Sequence, residues 1–252
     1  MRPRALLYAA AIFLSSSLLF LVEPMAGKRL LPLLGGSAAV WTTCLVFFQS
    51  ALLLGYLCAH WIATQLRPRS QALAYGFLLL LSLAQIALNL NPHLHASTGR
   101  PIASVLVVLS GLIGVPFLVL SATSSLLQAW YARGPANIDQ TTTPEAARPP
   151  YRLFAVSNFG SLLALVIYPI LIEPNFSLRA QTLAWAVGFL VFAVVCAGIS
   201  LGAISSAQRL MESSSAARAG QNGNSYAGTT AFPAERVDKP PEKPPTAVDR
   251  AF

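Results

Sequence analysis

Only two carboxylates stand in the apolar part of this chain, and they share a local pattern. Glu23 is followed by Pro24, with Arg29 six residues after the Glu; Glu173 is followed by Pro174, with Arg179 again six residues on. Proline disfavours helical geometry in the residue before it, so each hydrophobic run is expected to end at its Glu. A carboxylate at a membrane boundary needs a cation, and the Arg six residues later could turn back to meet it. That gives a helix stop with an interfacial ion pair. The alternative is a pair of acidic gates around one pocket.

Two amides extend the set. Gln49 and Asn158 lie inside apolar stretches, and an amide in hydrocarbon must find a partner. They could join helices or form a polar site for substrate or water. Ser121, Thr123, Ser124, Ser125 and Gln128 crowd one stretch, where hydroxyls can bond back to carbonyls one turn earlier or line a hydrated vestibule. His60, His93 and His95 match no metal-site spacing. Cys44, Cys58 and Cys196 form no Cys-x-x-Cys pair, so no metal site is expected. No Ser/His/Asp grouping or paired intramembrane carboxylates appear. The chain offers no catalytic or cofactor-binding motif, which argues against an enzyme.

The elements that must hold these residues are read from composition. The 252 residues are 55% hydrophobic and 10% charged, against roughly 25% charged in a soluble domain. A bilayer core of about 30 Å needs about 20 apolar residues per helix. Six such stretches are expected at about 5–22, 38–63, 72–90, 102–131, 153–172 and 181–204. The fold class is therefore all-α, a polytopic membrane helix bundle of six transmembrane helices. The fourth stretch is long and contains Gly111, Gly114 and Pro116, so a kink is expected there. Gly55 and Ala59 on the second span, and Gly160 and Ala164 on the fifth, have the four-residue spacing of small residues that lets helices approach closely. This places the second and fifth spans centrally. Residues 134–150 read as a polar loop. Residues 206–252 turn to Ser, Gly, Pro, Glu and Lys and read as a disordered tail.

The net charge is +8, but the cations sit in loops and tail, which points to membrane topology rather than nucleic acid. An even number of spans puts both termini on one side. The short segments on that side hold Arg2, Arg4, Arg67, Arg69, Arg133, Arg148 and Arg152, against Lys28, Arg29, Arg100 and Arg179 opposite. The positive-inside rule makes the termini cytoplasmic, as in a multi-pass protein of a bacterial inner membrane.

Longer runs carry a likeness. Leu33-Leu34-Gly35-Gly36-Ser37-Ala38-Ala39-Val40-Trp41-Thr42-Thr43-Cys44 and Tyr151-Arg152-Leu153-Phe154-Ala155-Val156-Ser157-Asn158-Phe159-Gly160-Ser161 are the longest, with Leu120-Ser121-Ala122-Thr123 between them. Over about residues 12–190 the chain resembles the membrane portion of bacterial spermidine-synthase-like membrane proteins, the fused major-facilitator/spermidine-synthase family. In that family more spans and a soluble aminopropyltransferase-like domain typically follow. Here no strand–Gly-x-Gly-x-x-Gly–helix unit follows the sixth span, so aminopropyl transfer is not implied. The resemblance implies a membrane module that binds or passes a small molecule or docks a soluble enzyme. Transport of a polyamine or other polar metabolite, and a role as membrane subunit of a split aminopropyltransferase-like enzyme, are the alternatives. The expected partners are the lipid bilayer, a second copy of the chain and a soluble transferase; no cofactor is expected.

Overall fold

The structure is a computed structural model that describes residues 3–34, 36–89, 101–132 and 151–227. All regular structure among them is helical. Helices α1 (Pro3–Leu34), α2 (Ala38–Gln65), α3 (Pro68–Leu88) and α4 (Pro101–Ala132) are followed by α5 (Tyr151–Ile167), a π-helical turn (Tyr168–Ile172), a short α6 (Glu173–Asn175) and α7 (Leu178–Ala227). Among the described residues, six segments are long and apolar enough to cross a membrane: Arg4–Pro32, Ala38–Gln65, Pro68–Leu88, Ile102–Ala132, Tyr151–Asn175 and Leu178–Gly202. The chain is thus the six-span helical bundle its composition calls for.

The first span does not stop at Glu23. Helix α1 runs through Pro24 to Leu34, so the expected helix end is corrected. A proline within a membrane helix frees one carbonyl, which neighbouring groups can satisfy again. The fifth span answers Pro169 differently: the ladder widens into the π-helical turn, and the Glu173 N–H reaches back to the Tyr168 carbonyl. The sixth span, Leu178–Gly202, ends close to its expected limit, but its helix does not, because α7 continues to Ala227. Residues 207–212 (Ala-Gln-Arg-Leu-Met-Glu) are good helix formers and no proline falls before Pro233, so nothing breaks the helix at 206. The rest of the expected tail, 228–252, lies outside the described residues, as do the loop at 134–150, His93 and His95.

The centre of the bundle is α4, packed against α1, α2, α3 and α5, with α1 beside it. The closest approaches are α2 on α4 and α1 on α5. The expectation that the second and fifth spans are central is therefore corrected. Their small residues do permit close packing, but from the flanks.

The two close seams repeat one geometry. A Cβ placed on Gly55 of α2 would stand 3.0 Å from the Leu118 carbonyl oxygen of α4 and collide with the Ser121 hydroxyl. A Cβ on Gly160 of α5 would stand 3.0 Å from the Phe13 carbonyl oxygen of α1 and 2.7 Å from the Ser16 hydroxyl. In each seam the serine donates to the carbonyl three residues earlier, Ser121 to Leu118 at 2.9 Å and Ser16 to Phe13 at 3.1 Å. Gly160 follows Gly55 by 105 residues (160 minus 55), and Ser121 follows Ser16 by the same 105 (121 minus 16).

The third helices follow suit with a shift of 110. Gln71 and Gln181 each donate from Nε2 to the carbonyl five residues earlier, Leu66 and Phe176, both at 2.8 Å. One turn on, Tyr75 bonds Thr123 of α4 at 2.8 Å, and Trp185 donates to the Leu18 carbonyl of α1 at 2.9 Å; Thr123 and Leu18 are again 105 apart (123 minus 18). Helices α1–α3 and α4–α7 thus share one three-span pattern of contacts, with α7 set farther from α1 than α3 is from α4. Three is odd, so the second unit threads the membrane in the opposite sense, the relation of an inverted-topology repeat.

Helix α4 runs unbroken through Pro116, where a kink was expected, and α3 supports it there. Gln85 of α3 donates to the Ser110 and Gly111 carbonyls and accepts from the Val115 N–H at 3.0 Å, just before Pro116. Asn89 adds a bond to the Gly111 carbonyl at 2.8 Å.

Gly55→Ala and Gly160→Ala should each destabilise the protein by about 1–3 kcal/mol, the usual cost of overpacking. Gly76→Ala and Gly111→Ala, where a Cβ meets open space, should be neutral within about 0.5 kcal/mol or stabilising. Unfolding in mixed detergent micelles measures all four. Gln85→Leu removes the side-chain partner of the Val115 N–H and the Ser110 carbonyl, leaving Asn89 on Gly111, and should cost about 1–3 kcal/mol in the same assay.

Candidate functional site

Helices α2 and α5 flank α1 and leave a groove of about 390 Å³ between them. Its floor is α1, with Glu23, Pro24 and Gly27. One wall is α2, with Trp41, Cys44, Leu45 and Phe48. The other is the end of the fifth span, with Leu165, Tyr168, Pro169 and Glu173. The two Glu-Pro marks therefore converge on one site, although they lie 150 residues apart (173 minus 23) and on non-equivalent helices of the repeat.

With each span centred in the bilayer, depth separates the two carboxylates. Glu23 lies five residues from the middle of the Arg4–Pro32 span, about 7.5 Å at 1.5 Å per residue, inside a hydrocarbon slab of about 30 Å. Glu173 lies ten residues from the middle of the Tyr151–Asn175 span, about 15 Å, at the interface.

The expected ion pairs are corrected. Glu173 meets Lys28, with Nζ 2.7 Å from its carboxylate, not Arg179, which is exposed. This is the one salt bridge among the described residues. Arg29 does not turn to Glu23: its guanidinium donates to the Thr182 hydroxyl of α7 at 2.7 Å, beside a smaller cavity of about 40 Å³ lined by Met25, Asn89 and Trp185 among others. Glu23 is half-buried and has no cation within ion-pair distance among the described residues. The reason lies in helical geometry. A continuous α1 puts Arg29 six residues on, 600° of rotation and so far round the cylinder from Glu23, whereas a chain reversal at Pro24 would have let it return.

Tyr168, on the π-helical turn, donates its hydroxyl to Gln181 at 3.2 Å, which fixes its ring at the groove wall. The aromatic wall continues through Phe48, tilted against Phe117 of α4 at 5.3 Å between ring centres. Gln49 and Asn158 do not act as glue within the bundle: both are exposed, and neither amide has a hydrogen bond among the described residues. Gln49 stands four residues after Leu45 and Asn158 seven before Leu165, so each shares a helix face with a groove-lining residue.

The hydroxyl-rich stretch of α4 behaves as expected for back-bonding. Thr123 donates to the Val119 carbonyl at 2.6 Å, and Ser124 reaches across to Ser157 of α5 at 3.3 Å while accepting from Gln128 at 3.0 Å. His60 is exposed, the three cysteines are free thiols, and no group of His, Cys, Asp and Glu among the described residues could hold a metal ion. As paired residues, Lys28 and Gln85 escaped the sequence reading. Their partners lie on other spans, and no local pattern marks them.

The comparisons with known proteins add no identity. No family model, no curated protein and no solved structure matches the chain.

Lys28 and Glu173 are about two-fifths exposed, so their pair should be weak. A double-mutant cycle of Lys28→Met and Glu173→Gln, read by detergent unfolding, should return a coupling of about 0.2–1 kcal/mol that shrinks in high salt.

Proposed function

We propose that this protein binds a small, positively charged molecule in the α1/α2/α5 groove and passes it through the membrane. One observation carries the reading: Glu23, a carboxylate at hydrocarbon depth without a cation partner among the described residues, faces a cavity large enough for a small organic molecule. An ionisable residue at that depth is costly to keep, and such residues mark substrate and ion pathways. The inverted repeat supports passage, because related halves of opposite sense can open a shared site to either side. The excess of arginines on the terminal side supports cytoplasmic termini in a bacterial inner membrane, a threading that would turn the groove toward the outer half.

The resemblance to the membrane module of spermidine-synthase-like fusions fits this reading through its small-molecule chemistry and rests on the quoted sequence runs alone. Docking of a soluble transferase, and pairing with a second copy, rest on the same footing.

Uptake of labelled mono-, di- and triamines into proteoliposomes tests the proposal. Glu23→Gln should lower uptake of the transported amine at least about tenfold, the order of 1.4 kcal/mol. Unchanged uptake in that variant, or no uptake of any amine by the unaltered chain, would count against it.

A further inference from the structure

We infer that the groove selects an organic monocation with a flat apolar body and discriminates against polyamines. The inference rests on the binding reading above and adds the ligand's charge and shape.

The groove's charges decide the first half. It holds two carboxylates, Glu23 and Glu173. Lys28 already occupies Glu173 at 2.7 Å, at the interfacial rim. Arg29 is held away on Thr182. The site with its rim therefore carries one net negative charge, and that charge sits at Glu23, below the rim. A ligand bearing one ammonium leaves the site neutral. A ligand bearing three brings two uncompensated charges into hydrocarbon, where the lack of water makes each one costly. A triamine must also pass an intact Lys28, which repels it.

The walls decide the second half. Trp41, Phe48 and Tyr168 face the groove along with Leu45, Leu165 and two prolines. Aromatic faces attract a cation within about 6 Å and pack against apolar bodies. An alkyl polyamine offers charges in plenty and little apolar surface to this wall. An arylalkyl amine offers one charge for Glu23 and a ring for the aromatics. The groove lies between two spans, on the flank of the bundle, so such an amphiphile can reach it sideways from the outer leaflet.

The repeat supports the assignment by its exception. The residue of α4 that corresponds to Glu23 under the 105-residue shift is Gln128 (23 plus 105), a neutral amide bonded to Ser124 at 3.0 Å. One half of the bundle carries the charge and the other does not, so the membrane interior offers a single anionic anchor rather than the two or three a polyamine needs.

Calorimetric titration of the full-length protein in detergent tests this with three probes: phenethylammonium, its neutral counterpart 2-phenylethanol, and spermidine. Phenethylammonium should bind at least tenfold more tightly than either of the others. Glu23→Gln should remove most of that preference, bringing phenethylammonium to within about twofold of 2-phenylethanol, while Glu23→Asp should keep part of it. Lys28→Met should raise the affinity for butane-1,4-diammonium at least fivefold by freeing Glu173. An unchanged unfolding temperature in Glu23→Gln shows that the variant is folded. Equal binding of the neutral probe, tighter binding of spermidine, no binding of phenethylammonium, or an indifferent Glu23→Gln overturns the inference. Vesicle uptake separates it from the broader reading. A protein that carries spermidine in preference to phenethylammonium passes small cations but has the wrong ligand assigned here. One that binds phenethylammonium without moving it has the right ligand and no passage.

Discussion

Two backbone-to-backbone seams hold this bundle together. In lipid, apolar side chains gain nothing by leaving one oily neighbour for another, so helices associate through close packing and a few hydrogen bonds worth about 0.6 kcal/mol each. Close packing needs missing atoms. Gly55 lets α2 settle on Leu118 and Ser121 of α4, and Gly160 lets α5 settle on Phe13 and Ser16 of α1. With α4 and α1 held in this way, α3 docks through Gln85, Tyr75 and Gln71, and α7 rests on the bundle through Trp185, Phe189 and Phe192. These large rings keep the α7 backbone at a greater distance from its neighbours than α2 and α5 keep from theirs.

The groove follows from that arrangement. Because α5 packs mainly on α1 and α2 mainly on α4, the two flanking helices scarcely touch, and α1 is left as the floor between them. The unbroken passage of α1 through Pro24 keeps Glu23 on that floor and sends Arg29 to α7. Had the helix ended at Glu23, the arginine could have returned and the carboxylate would be neutralised. The π-helical turn at Tyr168–Ile172 sets the other wall at the same level, bringing Tyr168 and Glu173 to the site.

Much of this was legible in the chain. Span number and approximate limits follow from length and apolarity, since the bilayer sets both. The back-bonded hydroxyls of α4 were readable from residue type. The repeat was half readable: Gly55-x-x-x-Ala59 and Gly160-x-x-x-Ala164 stand out as packing marks, and their common 105-residue spacing is the one the seam contacts follow. The more conspicuous Glu-Pro marks pointed elsewhere, pairing the first span with the fifth, whereas the repeat pairs the first with the fourth. Treating proline as a helix stop misplaced the end of α1, because that rule weighs the proline's local cost and omits the neighbouring helices that offset it in a membrane. The Lys28–Glu173 pair bridges 145 residues (173 minus 28), and no local periodicity can announce such a contact.

Both tight seams join a helix of one half to a helix of the other, and the packing of α3 on α4 does the same. The two units are laced through each other rather than set side by side. A ribosome delivering this chain would insert α1, α2 and α3 while their principal neighbours were still unmade, leaving Glu23 and the two glycine-ready serine and glycine surfaces facing lipid. Assembly would then wait for α4 and α5, so the emerging first half would depend on the membrane-insertion machinery to shelter it until its other strands of the weave arrived.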